Sequence, residues 1–131
     1  MKRLAIDVQP GEYAVARLDR GAAVPDGLLA PGQHFVSVTR TGAELSVICP
    51  AGLVPDAEIV EAGWRLLSVR GPLEFTLTGI IAALASELAA AGVALFTLST
   101  FDTDHVLVKQ SDLVRAAGAL RSAGHEVYLP A

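Results

Sequence analysis

From Thr76 to Ala91 the apolar residues Leu77, Ile80, Ile81, Leu84, Leu88 and Ala91 recur at intervals of three and four. That spacing gathers side chains on one face of a helix. Thr76 or Thr78 is placed to cap its start, and Gly92 stands where a helix C-terminus favours a positive φ. Upstream, Trp64 to Arg70 is a short apolar run closed by Gly71-Pro72, which predicts a strand ending in a turn. Downstream, Val93 to Ser99 and Val106 to Lys109 are β-type runs separated by Thr100-Phe101-Asp102-Thr103-Asp104, a hairpin. Ser111 then caps a second helix with Asp112 in its first turn, the stripe Leu113, Ala117 and Leu120, and a stop at Gly124. His125 to Leu129 predicts a last strand. The resulting order over residues 64–129 is β-α-β-β-α-β, the split βαβ or ferredoxin-like unit.

The N-terminal half carries a weaker pattern. Leu4 to Val8 and Tyr13 to Leu18 predict strands about Pro10-Gly11, and His34 to Arg40 with Leu45 to Cys49 predict a hairpin about Thr41-Gly42-Ala43. Between them, Gly21, Pro25, Gly27, Pro31 and Gly32 break any long helix and leave at most one turn around Asp26 to Ala30. Ala51 to Glu61, with Gly52, Pro55 and acids before Gly63, reads as a linker or a frayed short helix. Ser37 to Glu44 overlays Thr97 to Asp104 without a gap, setting Glu44 against Asp104 at the corners of two similar hairpins.

Composition narrows the function classes. The 131 residues are 52% hydrophobic and 18% charged, which excludes disorder. A net charge of -4 and 5% aromatics argue against nucleic-acid binding, which needs a basic face and stacking rings. The longest uncharged stretch of the most apolar region, Leu88 to Phe101, is 14 residues and is broken by Gly92, short of the ~20 needed to span a bilayer. Asp7, Pro10 and Glu12 interrupt any leader-like opening. The expectation is a cytoplasmic protein without membrane contact. The apolar surplus then points to a thoroughly buried sheet or a face covered by a second subunit. Cys49, the single cysteine, reads as a small buried hydrophobe, and His34, His105 and His125 have no zinc-ligand spacing. No nucleophile elbow or phosphate-binding glycine loop is present, and the absence of asparagine removes an acylphosphatase-type mechanism. The expectation is no enzyme, no cofactor and no metal.

Two segments brought to one edge by the βαββαβ order stand out. Gly71 to Gly79 delivers a helix N-terminus, whose unpaired N–H groups favour an anion such as a carboxylate. Ser99 to Asp104 holds two carboxylates and three hydroxyls. An amino acid has the complementary charges, its carboxylate for the N–H groups and its ammonium for an aspartate. The plain alternative is that Thr78 is only an N-cap, and that Asp102, Thr103 and Asp104 close their own turn.

The segments Ser37 to Thr41 with Glu44 to Val47, Gly63-Trp64, Gly71 to Ile80, and Leu98 to Val108 resemble the ACT-domain family of the CASTOR type, which takes in small bacterial proteins and the animal cytosolic arginine sensors. The resemblance implies an α+β fold. A ferredoxin-like βαββαβ (ACT) unit over residues 63–131 is preceded by a degenerate ACT-like unit over residues 1–62, with antiparallel sheets and helices on one face. It further implies a regulatory sensor that binds an amino acid or similar small zwitterion at an interface between ACT units, as a homodimer. Thr100, Phe101 and Asp104 fall on motif positions that supply ligand contacts in the sensors, and Gly79 and Phe75 match the helix-start loop. With Thr78 and Asp102 from the residue pattern, the expected ligand-binding set is Thr78, Gly79, Thr100, Phe101, Asp102 and Asp104. The sensors carry acidic residues in that loop where this chain has Thr76 and Leu77, a departure beside the position of a guanidinium. The alternative class is a ligand-free interaction module that dimerises or docks onto a metabolic enzyme, its cleft filled by Phe75 and Phe101.

Overall fold

The computed structural model describes residues 3–32, 34–73 and 79–130. Strands β1 (Ala5–Val8), β2 (Tyr13–Leu18), β3 (Ser37–Arg40), β4 (Leu45–Pro50) and β5 (Ile59–Val69) are followed by α1 (Ile80–Ala90), β6 (Leu95–Ser99), β7 (Asp104–Lys109), α2 (Leu113–Ser122) and β8 (Glu126–Tyr128). They form two compact units, one from the described residues of 1–10 and 65–131 and one from those of 11–64. The division expected at 62/63 therefore differs at the N-terminus, because β1 pairs with the C-terminal strands.

In the unit of residues 1–10 and 65–131 the strand order is β6-β7-β5-β1-β8. The first and last strands of the βαββαβ pattern, β5 and β8, are separated by β1. It runs antiparallel to β5, with Ile6 opposite Val69, and parallel to β8, with Ile6 opposite Val127. That parallel pair departs from the all-antiparallel sheet expected. The His125 Nδ1 accepts the Leu4 N–H at 3.1 Å where β1 and β8 begin. Alternate residues of the strands, among them Ile6, Leu67, Val69, Val106 and Val108, share one core with Leu84 and Leu88 of α1 and Ala116 and Leu120 of α2. The period of two puts them on a single face, so both helices cover that face.

Helix α1 starts at Ile80, after Gly79 with φ +82°, with no side-chain cap among the described residues; the expected caps Thr76 and Thr78 lie outside them. Only glycine adopts that left-handed conformation at little cost. Ser111 does not cap α2. The chain enters through a 3-10 turn at Gln110–Asp112, which puts Asp112 at the N-cap with φ −102° and ψ 0°, and no side-chain cap bond forms. A cap side chain reaches the first-turn N–H groups from extended backbone, which this is not. Asp112 pairs instead with Arg115 at 3.2 Å.

In the unit of residues 11–64, β3, β4, β2 and the first part of β5 form an antiparallel sheet. Its core is Ala16, Leu18, Leu28, Leu45, Val47 and Cys49. Leu28 comes from the glycine- and proline-rich stretch, folded there by single turns such as Leu28 N–H to Pro25 O. The fork of Arg40 holds that stretch by donating to the carbonyls of Arg20 and Ala22, both at 2.6 Å. Burial pushes the Cys49 thiol up from its ordinary range, as suits a small buried hydrophobe.

The segment read as linker ends early, since β5 already begins at Ile59. Gly63 lies inside this strand. It has φ +80°, and the register with β2 shifts between Tyr13 opposite Trp64 and Val15 opposite Glu61. A glycine in this conformation supplies the extra residue of a β-bulge, so the strand continues through it. The internal repeat is real as geometry but displaced by one residue. Arg40 pairs with Leu45 and Ser99 with Asp104, and Thr41 N–H donates to Glu44 O as Thr100 N–H does to Thr103 O. Thr41 thus matches Thr100, and Glu44 matches Thr103 rather than Asp104. With a side-chain period of two, a slip of one residue exchanges the faces.

Candidate functional site

A cleft of about 350 Å³ lies where the start of α1 meets the β6–β7 hairpin. Gly79, Ile80, Ile81 and Ala82 line it from the helix, Leu73 from the loop after β5, and Ser99 to Asp104 from the hairpin. The first intrahelical bond is Ala83 N–H to Gly79 O. The N–H groups of Ile80, Ile81 and Ala82 therefore have no acceptor within the helix, and the helix dipole adds partial positive charge there. No acid stands in the first turn of α1 to satisfy them.

The hairpin loop is built by threonines. The Thr100 hydroxyl donates to Thr103 O at 3.2 Å and accepts the Thr103 N–H at 3.4 Å. Thr103 Oγ1 donates to Val69 O at 2.7 Å, and Leu73 N–H donates to Asp102 O at 2.7 Å. Loop and β5 end are thereby tied together, closely enough that a Cβ on Gly71 would sit 3.1 Å from Asp102 O. The half-buried Asp104 carboxylate joins in closing the turn by accepting the Ser99 hydroxyl at 2.6 Å across the base of the hairpin, whereas Asp102 is exposed and makes no side-chain hydrogen bond to a described residue.

Of the expected set, Gly79, Thr100, Phe101, Asp102 and Asp104 come together around this cleft, and Thr78 lies outside the described residues. Phe101 is 79% exposed at its rim. Ser99, part of the hairpin segment read from sequence, and the aliphatic wall of Ile80 and Ile81 stand outside the expected ligand-binding set. The signal for Ser99 is the hairpin register, which needs the loop length. No group of three or more metal-ligating side chains occurs among the described residues, and none of their helices is long and apolar enough to cross a membrane.

The ACT domain family model matches residues 59–122, and a second family model, for an N-terminal domain, matches residues 11–57. The chain is 38% identical to protein Atu0741 from Agobacterium tumefaciens, whose crystal structure it matches at a TM-score of 0.89 over 100% of this chain and 96% of that one. The chain belongs to the ACT-domain family. The human cytosolic arginine sensor for mTORC1 subunit 1 is 41% identical over 51 residues, 38% of this chain and 16% of the sensor. The mouse protein of the same name is 39% identical over 82 residues, 62% of this chain and 24% of the sensor. The chain thus matches no more than about a quarter of the length of these curated relatives. The ligand-free regulatory subunit of aspartate kinase from Thermus thermophilus shares the fold, with a TM-score of 0.62, 11% identity, and coverage of 91% of this chain and 96% of that one.

Beside the cleft of this ACT domain, His105 is buried and its Nδ1 lies 2.8 Å from Ser68 Oγ. Burial pushes its imidazole below the ordinary 6.5, and the Asp104 carboxylate partly opposes this. The fold therefore prefers the neutral ring, and the unfolded chain takes up the proton first as pH falls. The stability this contributes is complete above the unfolded value of 6.5 and is lost as pH falls through the lower folded value. Urea midpoints at pH 7.5 and 5.5 are expected to drop at the acid end, and H105Q is expected to remove part of that drop. An identical drop in H105Q would assign the effect to other groups.

Proposed function

We propose that this protein is a regulatory sensor without catalysis of its own, which binds an amino acid or similar small zwitterion in the cleft at the start of α1. The observation that carries this reading is the pairing of opposite charge preferences in one cleft: the unsatisfied N–H groups of Ile80 to Ala82 and the carboxylates of Asp102 and Asp104. The α-carboxylate goes to the helix start and the ammonium to the aspartates, while Ile80, Ile81 and Leu73 offer an apolar wall to a side chain. Gly79, Thr100 and Phe101 shape the approach, and Thr78, which precedes Gly79 in the sequence, is kept in the same proposed set. The family, and the arginine-sensing relatives named above, support regulation as the purpose. We place the site at an interface between ACT units of a cytoplasmic homodimer, the commonest closed oligomer.

The alternative, a ligand-free module that dimerises or docks onto a metabolic enzyme, required Phe75 and Phe101 to fill the cleft. Phe101 is 79% exposed and the cleft is open beside it; Phe75 lies outside the described residues. Calorimetric titration with each of the twenty amino acids at millimolar concentration is the test, and at least one is expected to bind. No heat with any of them overturns the reading. Sedimentation velocity with and without the binder tests the dimer and its response.

A further inference from the structure

The Ser99 hydroxyl donates to Asp104 Oδ1 at 2.6 Å, the length of a charge-assisted O–H···O⁻ bond. The two residues face each other as the last paired positions of β6 and β7, with Ser99 opposite Asp104. A hydroxyl has one proton to give. Once it is spent on Asp104, Ser99 has no donor left for a ligand, and Asp104 keeps its second carboxylate oxygen for one. The backbone beneath is braced as well, because Thr100 N–H donates to Thr103 O at 2.8 Å and Thr103 Oγ1 to Val69 O at 2.7 Å. Asp104 therefore stands in a set orientation on a braced hairpin, and one side chain outside the expected site sets it. Asp102 has no such partner among the described residues and is exposed in the loop.

Resting on the zwitterion reading above, we propose that Ser99 is the positioning residue for Asp104, and that through it the cleft discriminates a primary ammonium from a neutral group at the same place. A rigidly held carboxylate rewards a charged donor in one direction. A rotating one, hydrated when empty, rewards it less. Ser99 touches no ligand in this scheme. Its effect reaches the ligand only through Asp104.

The experiment uses the full chain and two probes: the tightest binder of the twenty amino acids, and the same carbon skeleton with hydroxyl in place of the α-amino group. In wild-type protein the amino acid is expected to bind more tightly than the hydroxy acid. In S99A that ratio is expected to fall about five- to tenfold, the scale of one typical net hydrogen bond, with the thermal midpoint unchanged within about two degrees. S99T, which keeps the hydroxyl, is expected to restore the ratio. An equal loss for both probes in S99A would mean a structural role only and overturns the proposal, as does an unchanged ratio. If S99A fails to fold, the S99T ratio decides, and a value as low as that of a D104N control overturns it. Absence of binding by wild-type protein is a separate outcome, which overturns the zwitterion reading and the Ser99 role with it.

Discussion

Replacing Leu88 by alanine is expected to destabilise the protein by about 3 kcal/mol, with the urea midpoint lowered and its slope unchanged. Leu88 is 0% exposed in α1 and belongs to the core shared with the sheet and α2. Truncation removes three carbons from water-excluded contact and leaves a void that strands on one side and a helix on the other cannot both close. The thermal midpoint should fall by about 10 °C. L88M, which conserves volume, should cost less than about 1.5 kcal/mol. The effect should reach binding too, because the same helix presents Gly79 to Ala82 to the cleft. A loss below about 1 kcal/mol for L88A would mean that α1 is not seated on the sheet as described.

Asp104→Ala is expected to weaken binding of the best amino acid about thirtyfold or more, which is about 2 kcal/mol. The thermal midpoint should move little, since the side chain is half-buried and its hydrogen-bond partner among the described residues is the exposed Ser99 hydroxyl. Asp102→Ala should cost only a few-fold, because that carboxylate is exposed and unbraced, where solvent screens its attraction. Matched calorimetric titrations of the two variants check the order. Undiminished affinity in D104A would remove Asp104 from the site, and a larger loss in D102A would reverse their roles.

Much of the fold was legible because short-range periodicity reports local structure. Tyr13 to Leu18 is strand β2 at both ends, and the Leu84 and Leu88 spacing found α1 together with its Gly92 stop, where φ is +75°. The boundaries that failed did so through backbone conformation. Ala51 to Glu61 reads as a linker, but β5 already begins at Ile59 and runs through Gly63, which at φ +80° beside a register shift is a bulge. Ser111 reads as a cap, but the 3-10 turn moves the cap to Asp112. The hairpin repeat between Ser37 to Glu44 and Thr97 to Asp104 was visible yet set one residue out of phase, since similarity of letters does not reveal which residues pair across a turn.

The candidate site was legible as two segments, and its chemistry as charge complementarity. What escaped was the partner of each polar atom. Thr100 is expected as a ligand contact and spends its hydroxyl on its own loop, whereas Ser99, outside the expected ligand-binding set, donates to Asp104. Residue type tells what a group can donate or accept, while the remaining capacity depends on neighbours fixed by register.

The chain by itself determined the βαββαβ order, the apolar face of each helix and the glycines that bound them, because these follow from spacing within a few residues and from intrinsic backbone preference. Only the tertiary structure decided that β1 leaves its sequence neighbours to lie between β5 and β8, with Ile6 opposite both Val69 and Val127. A strand's alternation states which face it buries but not beside whom. The choice among distant edges is settled by the whole core, in which Leu4, Ile6 and Val8 complete the layer beneath α1 and α2.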